Sequence, residues 1–159
     1  MTVQAAYIRQ RFKEIDDSLT KAVGWSEGNP ELSAILASYL TVLISGIYED
    51  CVEFMVKKRA GRSADPELES FVEGITSDTF RNPDTGTVIR LLGRFSQAYK
   101  DDFRNRTKSE SRDALDSIIE NKNWLAHGNT SQLKVTPADV RGFYSRSSEL
   151  FEVLEDLLN

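Results

Sequence analysis

The sequence predicts an all-α fold, a bundle of about five to six helices in a single domain spanning residues 1–159. Three observations predict it. Apolar residues recur at spacings of three and four through most of the chain, clusters of Gly, Pro and Asn punctuate these stretches, and no segment alternates as a strand does. With 159 residues and 40% hydrophobic content, the chain is long enough to bury one core and too short for a second full domain. No internal repeat or low-complexity tract complicates the pattern.

The first helix is predicted over Val3 to Val23, where Val3, Tyr7, Ile8, Phe12, Ile15 and Leu19 form one apolar stripe with Arg, Lys, Asp and Glu outside it. Gly24 and the Gly28-Asn29-Pro30 stretch are expected to end it. Pro30 suits the first position of a second helix reaching about Arg59. Its first half is apolar nearly all round, the pattern of a helix enclosed at the centre of a bundle, and its second half is amphipathic. The linker Gly61 to Pro66 leads to a short helix carrying Leu68, Phe71, Val72 and Ile75, and the cluster Arg81 to Gly86 marks a turn. One helix is then expected from Thr87 to about Phe103, with Val88, Leu91, Leu92, Phe95, Ala98 and Tyr99 along one face. Ser109 or Ser111 is a candidate cap for the next, whose core face is Leu115, Ile118, Ile119, Trp124 and Leu125 and whose stop signal is Gly128. Thr136-Pro137-Ala138-Asp139 reads as an N-cap, a proline in the first turn and an early acidic residue, opening a last helix through Leu157.

Charge and cysteine usage narrow the function. Lys plus Arg number 20 against 25 Asp plus Glu, a formal net charge of -5, which opposes indiscriminate nucleic-acid binding and leaves room only for focused basic patches. The chain has one cysteine, Cys51, so it forms no internal disulfide and offers no cysteine-based zinc spacing. On an apolar helix, that residue reads as a small packing group. Charged residues among Met1 to Asp16 break any signal-peptide core, and the uncharged run Leu32 to Tyr48 is short for a span of about 20 residues. The expectation is a cytoplasmic protein that does not enter a membrane.

The single histidine, His127, sits in Lys122-Asn123-Trp124-Leu125-Ala126-His127-Gly128. Imidazole titrates near neutral pH, so His127 is the natural proton carrier of the chain. On a helix Asn123 and His127 share a face, with Glu120 two turns before His127 on that face, while Lys122 points elsewhere on a long stem. Cleavage of an RNA backbone needs a group to take the 2′-hydroxyl proton, one to protonate the leaving 5′-oxygen, and a donor at the crowded phosphate. His127 suits the proton transfers, Lys122 the charge, and Asn123 the orientation of phosphate or imidazole, with no metal or other cofactor required. A structural reading stands beside this one: a histidine before glycine at a helix end also caps carbonyls and complements the helix dipole.

The heptapeptide resembles the Arg-Asn-x-x-Ala-His-Gly signature that ends a late helix in domains of the HEPN superfamily, of the RiboL-PSP-HEPN or MAE_28990-like type. The segment Ser38 to Asp50 resembles the apolar early helix of those all-α bundles, which carries an acidic residue, and Glu49 is the matching position. The resemblance covers roughly residues 30 to 158. It implies a metal-independent endoribonuclease, commonly dimeric, often a toxin paired with an antitoxin or an effector of antiviral defence. His127 and Asn123 carry over directly, and Glu49 is implied to orient His127 or Lys122. Lys122 stands where the family usually has arginine, which keeps the charge and loses the planar fork that grips a phosphate. Non-catalytic members exist, so a module binding nucleotide, RNA or a partner protein is the alternative. Glu49 and Asp50 also fit the solvated end of an apolar stripe. Two basic clusters, Lys57-Lys58-Arg59 with Arg62 and Arg104-Arg106-Lys108 with Arg112, suit an RNA groove if the fold brings either beside His127, and otherwise suit helix ends. Trp25 and Trp124 are able to stack on bases, Trp124 being equally suited to the core or a dimer interface.

Overall fold

The computed structural model describes residues 3–63, 65–79, 82–128 and 135–159. Among the described residues it contains eight α-helices and a 3-10 turn, with no strand: α1 Val3–Ser26, α2 Pro30–Ala60, the 3-10 turn Gly61–Ser63, α3 Pro66–Thr79, α4 Thr85–Phe95, α5 Gln97–Arg106, α6 Ser109–Ala126, α7 Pro137–Ser147 and α8 Glu149–Leu158. The all-α class agrees with the sequence. Ala64 of the expected linker, Arg81 of the expected turn and the side chain of Val3 lie outside the described residues.

The strongest punctuation in the sequence marks real helix ends. Asn29 Oδ1 accepts the Leu32 N–H at 3.0 Å, and Pro30 opens α2 where a missing N–H costs nothing. Thr136 and Asp139 exchange hydrogen bonds in a reciprocal capping box at the start of α7. Gly28 and Gly128 both take φ of 73°, left-handed backbone that favours glycine after a helix. Gly24 does not end α1, which runs on to Ser26. A lone helical glycine costs only about 1 kcal/mol, too little by itself to stop a helix anchored by the buried Ala22 just before it.

Three further expectations are corrected. The predicted helix from Thr87 to Phe103 is two, because Ser96 is extended (φ -163°, ψ 141°) and its Oγ accepts the Ala98 N–H to begin α5. The predicted last helix is also divided, at Ser148, which keeps helical angles (φ -60°, ψ -31°). There Ser147 and Ser148 hydroxyls bond back to the carbonyls of Tyr144 and Ser145, a pattern that bends a helix. Neither Ser109 nor Ser111 caps α6: Lys108 occupies the N-cap position without a side-chain bond, and buried Ser111 donates to Glu149 of α8.

α2 is the central element, packed against α1, α3, α6, α7 and α8. Its Tyr48 ring meets Phe12 and Phe151, which with Tyr144 form an aromatic centre joining α1, α2, α7 and α8. Each well-placed aromatic pair adds about 0.5–1.5 kcal/mol beyond burial, so this cluster fixes the relative rotation of four helices. The buried Tyr48 hydroxyl and Ser147 Oγ are 2.7 Å apart, so neither is left unsatisfied. Cys51 is a buried packing residue as expected, and burial pushes its thiol up to about 12.

The first half of α2 reaches the core with Ala37, Leu40 and Ile44, yet it is not enclosed all round as expected. Cys51, Val52, Met55, Val56 and Ala60 of the second half are buried, while Ile35, Tyr39 and Val42 of the first half face solvent. Apolar composition shows that a helix tolerates burial, and it does not supply the neighbours that bury it. By length and composition alone α2 is able to cross a membrane, yet in this fold Ala37, Leu40, Ile44, Ile47 and Tyr48 are core residues of the bundle.

Candidate functional site

α6 begins beside α8 and ends in the heptapeptide, so the position of each candidate follows from its place along one helix of 18 residues. His127 is the C-cap residue: its N–H donates to Asn123 O at 3.1 Å, its backbone leaves the helix (φ -92°, ψ 10°), and its side chain is exposed. Gly128 then turns with positive φ and donates to Leu125 O at 3.1 Å. The capping reading of His127 therefore holds for its backbone. Its imidazole is left at the surface, where a substrate can reach it.

Lys122 lies about 7.5 Å along the axis from His127 by helical rise. It is partly buried, with Nζ 3.5 Å from Glu49 Oε1 of α2 and 2.7 Å from Asn82 Oδ1 in the turn before α4. Three separate elements thus converge on one ammonium. The two neighbouring acids, Glu49 and Asp50, take different directions. Asp50 pairs with Arg11 of α1 at 2.5 Å, while Glu49 turns toward α6 and Lys122. Burial raises the Glu49 carboxyl above its ordinary value, against the opposing charge and hydrogen bond of Lys122. Desolvation wins because the pair is partly enclosed and Asp50 adds a second negative charge.

Asn123 faces another way. With Asp84, Gly86, Asp116, Ile119 and Glu120 it lines a depression of about 300 Å³ at the start of α4. Three carboxylates surround that space, which makes it hostile to a phosphate. Of the four sequence candidates, the structure joins Glu49 to Lys122 directly and joins Asn123 to His127 through the helix backbone. Trp124 is partly buried, and Trp25 is exposed at the end of α1.

The cluster at the start of α6 is remote from His127. Arg112 precedes it by about 22 Å of helix, and Arg104, Arg106 and Lys108 come earlier still. Arg106 pairs with Asp156, Lys108 with Glu149, and Arg112 caps the Thr107 carbonyl. Lys57 pairs with Glu53 and Glu73, Lys58 lies over Phe54, and Arg59 and Arg62 reach Tyr99 and Asn159. These contacts fit the structural alternative, in which the charges serve helix ends and ion pairs. Asn82 is the participant that sequence reasoning missed. Its place before Pro83 signals only a turn, and nothing in a linear pattern aims its amide at a lysine forty residues away.

Among the described residues no group of three His, Cys, Asp or Glu side chains is placed to hold a metal ion. A family model described as RiboL-PSP-HEPN matches residues 6–159. No curated protein and no solved structure matches the chain.

Proposed function

The chain belongs to the RiboL-PSP-HEPN family, a family of proposed ribonucleases, and from that premise we propose that it is a metal-independent endoribonuclease. The observation that carries this reading is the convergence of Glu49 and Asn82 on Lys122, in the helix whose end, five residues on, carries the exposed His127. The RNA 2′-oxygen attacks phosphorus, the bond from phosphorus to the 5′-oxygen breaks, and a 2′,3′-cyclic phosphate forms. One proton leaves the 2′-hydroxyl and one joins the 5′-oxygen; His127 carries one of these transfers. Lys122 offsets the growing negative charge, Glu49 fixes the lysine, and Asn123 steadies the turn of helix that presents the imidazole.

Two proton transfers and one histidine make a second copy of the chain the natural partner, since it supplies a second imidazole. Ile35, Tyr39, Val42 and Gly46 recur at the four-three-four spacing of a helix seam, and the next step of three reaches Glu49. These three side chains are 65%, 55% and 51% exposed, and a Cβ at Gly46 would meet nothing within 4 Å. The seam is apolar, open and continuous with Glu49, so a homodimer built on it places two copies of the site near one another. Val42→Asp is expected to yield a monomer in sedimentation; an unchanged association state excludes this seam.

The family resemblance favours a cytoplasmic toxin or defence effector, with a cognate antitoxin or associated protein as its further partner. Lys122 in the arginine position favours a second reading, a non-catalytic module that binds RNA or nucleotide. Incubating purified protein with all-RNA and singly 2′-deoxy-substituted oligonucleotides in EDTA separates the two. The enzyme reading predicts cleavage with cyclic phosphate ends, blocked where the 2′-hydroxyl is missing; affinity without cleavage supports the module.

A further inference from the structure

We infer that Asn82 is a positioning residue for Lys122, and that it supplies the fixed direction which an arginine carries in its own planar fork. The inference rests on the ribonuclease reading of the site and extends it to a residue outside the motif. A guanidinium meets a carboxylate through two parallel N–H groups, so one acidic partner sets both its distance and its plane. An ammonium is a point charge on a flexible stem, and one carboxylate leaves it free to swing. A second acceptor in a different direction removes that freedom.

The geometry supplies such an acceptor. Lys122 Nζ approaches Glu49 Oε1 at 3.5 Å and Asn82 Oδ1 at 2.7 Å, so the shorter contact is to the amide. Asn82 is itself held. Its carbonyl accepts the Asp84 N–H at 2.8 Å, Pro83 is buried, and Asp84 Oδ1 accepts the Thr87 N–H at 2.6 Å. The next residue ties the turn to α6, since Thr85 donates its N–H to Asp116 at 2.7 Å and its hydroxyl to the Arg112 carbonyl at 3.1 Å. The turn is therefore registered on the helix whose lysine it aims. The chemistry of an amide also matters. Glu49 already offsets the lysine charge, and a second carboxylate would leave the cluster negative and repel a phosphate, whereas a neutral oxygen directs the ammonium and preserves its charge.

Cleavage kinetics of Asn82→Ala and Asn82→Asp, each made with lysine and with Lys122→Arg, test the assignment. With lysine at 122, Asn82→Ala is expected to lower kcat about ten- to a hundredfold with little change in KM, as misplacement of a charge-stabilising group does. With arginine at 122, the same change is expected to cost less than about threefold, because the fork holds Glu49 unaided. Asn82→Asp keeps the shape of the side chain, so it is expected to fold and to lose RNA affinity through its added charge. An equal loss from Asn82→Ala in both backgrounds overturns the inference, because damage to the fold does not depend on the residue at 122. Side-chain NMR of ¹⁵N-lysine protein reads the same contact without turnover: the Lys122 ammonium signal is expected to broaden in Asn82→Ala. If the wild type cleaves no RNA and that signal still broadens, the ribonuclease reading fails and the positioning contact stands; an unchanged signal removes the contact itself.

Discussion

The two ends of α6 carry similar residue types and use them differently. At its start, Arg106, Lys108 and Arg112 meet Asp156, Glu149 and a backbone carbonyl, so the positive charges join α5, α6 and α8 at the surface. At its end, one cation is recessed between α2 and the turn before α4, and the imidazole beyond it is exposed. Surface pairs contribute about 0–1 kcal/mol and are screened by salt. A cation held by partners from two other elements in a partly enclosed site is preorganised, which is what charge stabilisation during a reaction requires. Counting basic residues would favour the first end for RNA, and geometry favours the second.

The largest effect that sharpens this contrast is expected from Lys122→Met, which preserves much of the stem and removes the charge. Cleavage is expected to fall about 10²–10³-fold, the range seen on loss of one transition-state donor. Glu49→Gln comes next. It leaves an acceptor for Lys122 but no counter-charge, and a loss of about tenfold in kcat is expected with stability changed by about 1 kcal/mol or less. Its pH dependence has a definite sign. Burial raises the folded Glu49 carboxyl above its ordinary 4.5, so its ionisation opposes folding as pH rises through the raised value. Thermal midpoints from pH 4 to 7 are expected to gain less on raising pH in the wild type than in Glu49→Gln.

At the other end of α6, replacing Arg106 and Lys108 together by Gln is expected to change cleavage by less than about threefold at physiological salt. A hundredfold loss would mean that this end, not the heptapeptide end, grips the RNA. The smallest effect on activity is expected at the α7 capping box. Thr136→Ala is expected to cost about 1 kcal/mol of stability, read by urea denaturation, with turnover intact. Hydrogen bonds from Thr136 lower the Asp139 carboxyl below its ordinary 3.8. That contribution is present above the unfolded value and is lost as pH falls through the folded one; the larger share comes from the Thr136 backbone N–H, which alanine keeps, so Thr136→Ala is expected to flatten the acid limb of the stability curve only in part.

Sequence marked the helix ends where a residue type has only one comfortable geometry. Pro30 at a first helical position, Gly28 and Gly128 at positive φ, and the Thr136 cap are such cases. Ser96 and Ser148 escaped notice because the apolar stripes of their segments continue across them, and serine is neither a strong breaker nor a strong former of helix. The site was legible in proportion to its locality. Asn123 and His127 are one helical turn apart and could be related by periodicity, and Glu49 was named from a family pattern. Its contact with Lys122, and the contribution of Asn82, depend on how α2, α6 and a turn pack together, which no spacing encodes. The open face of the first half of α2 was missed for the same reason, since hydrophobicity describes a helix and not its neighbours.

The most direct measurement is cleavage of an end-labelled RNA in EDTA by the wild type and by His127→Ala, with folding of both checked by circular dichroism. His127 is exposed and, among the described residues, caps α6 through its backbone, so the variant is expected to fold normally, lose at least about a hundredfold in rate, and leave wild-type cyclic phosphate ends as the signature of the reaction. Equal rates from the two proteins would contradict a site centred on the end of α6.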